Sequence, residues 1–249
     1  MYSIHKVHGT QVADGAGAEP VRLFPTHSMS WIDPFLLMDH FAIQAPMGFP
    51  SHPHRGFEII TYVLEGAVAH ADNAGYESVI PTGGLQRVIA GRGIVHSEMP
   101  GSDGINSGLQ LWINLPRSEK GIDPSYQEVL SEELPEITAN GVRLRTLVGD
   151  GSPVTVCRPM VYFDIHLDSG ATHELHLPEN YRGFVYVLTG AGSIGEPQTS
   201  AETGDLLAFT DVTDTNNTIP VHADTQMRLV FVAGQPVGER PRFNGPFVD

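Results

Sequence analysis

Turn-forming residues punctuate this chain at close, even intervals, and that rhythm constrains the fold more than any other feature. Gly and Pro together make up 46 of 249 residues, well above the roughly 12% of ordinary usage. Clusters such as Asp72-Asn73-Ala74-Gly75 and Pro81-Thr82-Gly83-Gly84 are turn signals. Gaps of about eight to twelve residues separate such signals, the spacing of short strands in a sandwich or barrel. The intervals are filled by strand-formers. Residues 57–64 read Phe-Glu-Ile-Ile-Thr-Tyr-Val-Leu and are closed by Glu65-Gly66, while 108–115 partly alternate as a half-buried strand does. Helical periodicity is weak, and only 125–133 offers a turn or two. The expected class is all-β.

The pattern also repeats. Arg55-Gly56-Phe57 and Tyr62-Val63-Leu64-Glu65-Gly66 return as Arg182-Gly183-Phe184 and Tyr186-Val187-Leu188-Thr189-Gly190, at offsets of 127 and 124 residues. Thr82-Gly83-Gly84-Leu85 then matches Thr203-Gly204-Asp205-Leu206 at an offset of 121. Three echoes in order at nearly one spacing indicate a duplicated β-domain. The polar stretch from Glu132 to Gly141 is the expected boundary, giving domains at 1–133 and 142–249 with a linker at 134–141.

Charge and composition narrow the partners. Fourteen basic against 29 acidic side chains leave a net charge of −15, which repels a polyphosphate and argues against direct nucleic-acid binding. No run of about 18 apolar residues is present, so no membrane span is expected. The N-terminal residues carry no export signal and Cys157 is the single cysteine. Both features predict a cytoplasmic protein.

Chemistry enters with histidine spacing. His52-Pro53-His54 places two imidazoles on one face of a strand, and His96-Ser97-Glu98 repeats the arrangement with a carboxylate. Two antiparallel strands, each presenting such a pair, can surround one transition-metal ion in a barrel mouth. Three imidazoles and a carboxylate suit Fe, Mn, Co, Ni, Cu or Zn and leave positions open for substrate. Glu58 has the same parity as the His52 pair on an unbroken strand. It is a further ligand, a replacement for Glu98, or an acceptor for an imidazole N–H, and spacing leaves these open. The other nine histidines, His70 among them, read as surface or hydrogen-bonded residues. In the second half, the matched positions become Glu179, Tyr181 and Val185, or His176, Pro178 and Arg182, followed by Asn217 and Ile219. No register reproduces the ligand set, so the second barrel is expected to carry no metal of this kind.

Asp33-Pro34-Phe35-Leu36-Leu37-Met38-Asp39, the segment Gly48–Glu58, Ala90–Pro100, Gly108–Leu115 and the closing Gly245-Pro246-Phe247-Val248 together resemble the pirin family, bicupins of the cupin superfamily. The likeness runs the length of the chain. It implies two tandem cupin (jelly-roll β-barrel) domains, with one metal ion, iron, in the N-terminal barrel. It assigns the ligands to His52, His54, His96 and Glu98, makes Glu58 a neighbour, and leaves the C-terminal cupin without a site. Where the family often has a tryptophan near the pocket mouth, this chain has Arg87.

The resemblance implies a quercetin (flavonol) 2,3-dioxygenase using O2. Glu98 then serves as the general base for the substrate 3-hydroxyl. The alternative is a redox-responsive regulator acting through a protein partner, which the acidic charge predicts to carry a basic patch.

Overall fold

A computed structural model of the chain describes residues 2–210 and 217–249. The described residues form antiparallel strands joined by turns, and Ser131–Glu133 is a single 3-10 turn. The strand expected over 57–64 runs Phe57–Glu65, and that over 108–115 runs Asn106–Asn114. The helical turn expected within 125–133 is the 3-10 turn at Ser131–Glu133, while Ser125–Val129 is a strand whose residues pair with Leu85–Ile89 at a sheet edge. Long-range pairing here overrides local propensity. Turns fall where their side chains can close them: Asp72 Oδ1 accepts from the amides of Ala74 and Tyr76 at 2.9 and 3.1 Å.

The strands divide into two compact units. One comprises Thr10–Glu133 with Val237–Asp249. Its larger sheet has seven strands in the order Ser125–Val129, Leu85–Ile89, Phe57–Glu65, Asn106–Asn114, Phe35–Ile43, Val21–Phe24 and Thr10–Gln11. Its smaller sheet has four, ordered Phe49–His54, Ile94–Pro100, Ala67–Asp72 and Glu77–Pro81. Apolar residues of both sheets interlock on the inner faces. Phe57, Ile59 and Val88 pack with Ile94, and Phe41, Ile43 and Val63 pack with Val68 and Ile80. This is a jelly-roll core.

The other unit comprises Met1–Gly9 and Leu134–Pro236. It repeats the plan with a seven-stranded sheet and a four-stranded one. Arg182–Thr189 stands third in its large sheet, as Phe57–Glu65 does in the first unit, and Asp205–Thr210 stands second, as Leu85–Ile89 does. The duplication read from Arg-Gly-Phe and Tyr-Val-Leu is therefore a duplication of topology.

The break after Glu133 falls where expected, but the two ends of the chain are exchanged between the units. Ser3–His8 pairs with Asp205–Thr210, and Lys6 Nζ lies 2.7 Å from Asp205, so the first residues belong with the later barrel. Val237–Asp249 belongs with the earlier one: the amides of Val237 and Gly238 donate to Asp33 at 2.9 and 2.8 Å. The segment 134–141 contains no free linker. Glu136–Ala139 is a strand hairpinned onto Val142–Val148 through Asn140 and Gly141, whose φ values are 53° and 74°. An Asn-Gly pair with both φ positive is the two-residue turn that matches strand twist. Among the described residues no helix is long and apolar enough to cross a membrane.

Candidate metal centre

The strands Phe49–His54 and Ile94–Pro100 lie side by side in the smaller sheet, with His96 opposite His52 and Ile94 opposite His54. Alternation then directs His52, His54, His96 and Glu98 to the inner face. The register slips by one residue between His96 and Glu98. Pro50, which has no N–H to give a ladder, sits in that bulge.

The three imidazoles converge. His52 Nε2 is 2.9 Å from His54 Nε2 and 3.1 Å from His96 Nε2, and the three ligand atoms all lie within 4.8 Å of one another. His52 Nδ1 faces the Pro50 carbonyl at 2.9 Å, and His54 Nδ1 faces the Pro246 carbonyl at 3.3 Å. A carbonyl accepts only, so both Nδ1 atoms carry the proton and both Nε2 lone pairs point inward. Burial, then the proximity of His96 and His52, pushes His54 down to about 3. Burial, then His52 and His70, does the same to His96, also to about 3. His54 and His96 are thus neutral imidazoles, and the Nε2 atoms of all three rings meet at one point. A transition-metal cation satisfies such a set; water-free apolar packing does not.

Glu98 is buried beside this cluster and is held by three donors. Oε1 accepts from Thr61 Oγ1 at 2.9 Å and from Gln86 Nε2 at 2.6 Å, and Oε2 accepts from Gln110 Nε2 at 2.6 Å. All three donors sit on the larger sheet, so the carboxylate crosses the barrel to reach them. Gln110 is in turn oriented by Trp112, whose indole N–H donates to its Oε1 at 3.0 Å. Trp112 stacks on Phe57 at 4.2 Å and meets the His54 ring edge at 4.8 Å. Polar clamp and aromatic wall are one packed unit.

Glu58 does not join them. Phe57 touches His54 at 5.1 Å and Thr61 touches Glu98, so odd-numbered residues of this strand face the site. Glu58 therefore faces the opposite side, where its Oε1 is 3.8 Å from Arg87 Nε. The inward parity expected from His54 fails because the chain breaks at Gly56, which has φ +88°. Arg87 is likewise away from the cavity, donating to Ser125 Oγ at 2.6 Å. Its place near the pocket mouth is taken by no residue of that strand; Gln86 is the one that points in.

Two residues read as ordinary on spacing are close to the centre. His70 and Asp72 have fully buried side chains, joined Nε2 to Oδ2 at 3.1 Å, and the His70 ring lies 5.5 Å from that of His96. Their i/i+2 spacing is the same signal that marked the ligand pairs. The C-terminal hairpin Phe243–Val248 also contributes, through the Pro246 carbonyl and through Val248, whose amide donates to Arg55 at 3.0 Å.

A cavity of about 550 Å³ opens onto His52, His54 and Glu98, with Leu37, Phe49 and Trp112 among its walls. That volume lies in the range of small-molecule sites.

Comparison with known proteins finds relatives along the whole chain. Residues 17–113 match the model of the Pirin family, and 162–249 match that of the Pirin C-terminal cupin domain. Pirin-like protein 2 of Arabidopsis thaliana is 39% identical over 98% of this chain and 78% of its own. Among solved structures, a quercetin 2,3-dioxygenase from Acinetobacter baumannii superposes with a TM-score of 0.88 at 28% identity, covering 100% of this chain and 92% of that one. A bacterial pirin from Escherichia coli in complex with nickel(II) gives a TM-score of 0.75 at 27% identity, covering 94% and 99%.

Proposed function

Because this chain belongs to the pirin family, we propose that it is a metal-dependent flavonol 2,3-dioxygenase. Its substrates are quercetin-like flavonols and O2, and its products are carbon monoxide and the ring-opened ester. The observation that carries the reading is the convergence of three imidazoles beside an aromatic-walled cavity that a buried, tightly held carboxylate also lines. His52, His54, His96 and Glu98 would hold the ion, iron first and nickel, copper, manganese, cobalt or zinc as substitutes. When bound, the metal supplies Lewis acidity toward an enolate oxygen and a path for electrons to O2.

The protein's own part is proton handling and orientation. Oε1 of Glu98 is occupied by Thr61 and Gln86, whereas Oε2 accepts from Gln110 alone. The one lone pair that Gln110 leaves on Oε2 is what Glu98 would offer the ion, and it would take the proton of the 3-hydroxyl once that contact opens. Gln110, fixed by the Trp112 N–H, keeps that oxygen aimed at the cavity. Leu37, Phe49 and Trp112 offer flat apolar surface to a planar substrate and displace water from it.

Aerobic incubation of quercetin with iron-, nickel- or copper-reconstituted protein is expected to bleach the flavonol and release carbon monoxide. If no metal yields ring cleavage, the dioxygenase reading is wrong.

A further inference from the structure

One row of inward residues crosses the larger sheet of the metal-binding unit. Arg22 stands opposite Asp39, Asp39 opposite Gln110, Gln110 opposite Thr61, and Thr61 opposite Gln86. The last three are the residues that clamp Glu98. The first two close the other end of the same cavity. Adjacent strands are about 4.8 Å apart, which sets Arg22 about 10 Å from Gln110 along the floor.

Arg22 is held but not saturated. Its Nε donates to Asp39 Oδ1 at 2.9 Å, and its Nη2 donates to Asp39 Oδ2 at 2.7 Å and to Asp14 Oδ2 at 3.1 Å. The two N–H groups of Nη1 meet no acceptor among the described residues. Asp39 is buried and fixes the guanidinium plane, so those donors keep one direction. Asp14 is half-exposed at the rim, and its loop is pinned: Ala16 N donates to Gly48 O at 2.8 Å and Asp14 N to Ala18 O at 2.9 Å. One cation and two carboxylates leave this end of the cavity with a net negative charge. An anionic group is therefore repelled, whereas a neutral hydroxyl can accept from Nη1 and donate to Asp14.

We propose that Arg22 and Asp14 form a distal subsite that reads a phenolic hydroxyl at the end of the substrate away from the metal. This rests on the cavity being an aromatic substrate site, and it adds which substituents the site selects. A distal hydroxyl is favoured over hydrogen or methoxy, and a distal carboxylate or sulfate is disfavoured.

The test is binding without turnover. Metal-loaded protein is titrated under anaerobic conditions with quercetin and with 3-hydroxyflavone, which lacks the other hydroxyls. Quenching of tryptophan emission reports occupancy, since Trp112 lines the cavity. Quercetin is expected to bind at least about tenfold more tightly, as a hydrogen bond to a charged group warrants. Asp14→Ala removes an exposed acceptor with little effect on folding and is expected to erase most of that preference. Arg22→Lys keeps a cation for Asp39 but loses the fork, and is expected to do the same. Equal binding of the two flavonols to wild type, a preference that survives both variants, or failure of either compound to bind would each overturn the subsite. Aerobic turnover separates the two readings: cleavage without a hydroxyl preference removes the subsite alone, and preference without cleavage removes the dioxygenase alone.

Discussion

Acidification of the metal-free protein tests the buried imidazoles directly. An unfolded histidine titrates near 6.5, whereas His54 and His96 are each held down at about 3 in the folded state. Their folded values are depressed, so between these limits the unfolded chain binds more protons and stability falls as pH falls. Two such groups give a slope approaching about 2.7 kcal/mol per pH unit, and lowering pH from 7 to 5 removes about 4 kcal/mol. That loss does not depend on the folded value as long as it stays well below 5. It is a large share of the roughly 5–15 kcal/mol that stabilises an ordinary domain. The assay is urea unfolding followed by tryptophan fluorescence at each pH. Both tryptophans, Trp31 and Trp112, lie in the unit that carries the histidine cluster, so the signal reports that unit and not its neighbour. The His54→Asn, His96→Asn double variant should flatten the profile. A wild-type loss below about 1 kcal/mol over this range, or an equal loss in the double variant, would refute the claim that these two rings stay neutral through burial.

Three further outcomes follow from the same geometry. Glu98→Ala should lower metal affinity strongly, whereas Glu58→Ala should leave loading within about twofold and instead destabilise the fold by about 3 kcal/mol, since it strips a buried partner from Arg87; an emptied Glu58 variant beside a loaded Glu98 variant would reverse the assignment. Deleting Phe243–Asp249 removes the carbonyl that faces His54 Nδ1 and should weaken metal binding by about 10–100-fold in chelator competition, and unchanged affinity would dismiss the hairpin's role. Gly56→Ala should cost more than about 2 kcal/mol in urea unfolding, because the backbone there has φ +88° and the added carbon would fall 1.9 Å from the Val248 carbonyl oxygen; near-wild-type stability would show that the contact relaxes freely.

Which parts of this fold were legible follows from the range over which each signal acts. Period-two alternation and turn chemistry are local, and they located Phe57–Glu65, Asn106–Asn114 and the duplicated plan. The pairing of Ser3–His8 with Asp205–Thr210 involves residues some two hundred positions apart, and nothing in either segment's periodicity names its partner. The hairpin at Asn140-Gly141 is a different case. Asn-Gly is a turn signal, yet the polarity of 134–141 has the composition of a linker. The strand Glu136–Ala139 is exposed throughout, so it lacks the apolar face by which strands are recognised.

The two glutamates show why spacing gathers candidate ligands yet leaves the carboxylate open. Parity is preserved only while the backbone stays extended. His96 and Glu98 share one unbroken stretch of strand, and their common face survives even the slip in the neighbouring register, because the extra residue is accommodated on the strand that contains Pro50. His54 and Glu58 are separated by Arg55-Gly56, and a single left-handed glycine there turns the following strand over. Counting from His54 places Glu58 inside; counting from Phe57, whose ring touches His54, places it outside. The carboxylate nearer in sequence to the His52-x-His54 pair is thus carried to the far face, and the one on the paired strand Ile94–Pro100 stays on the face of the histidines. Any glycine of positive φ between two candidate ligands therefore cancels a parity argument, whereas a bulge on the facing strand leaves it intact.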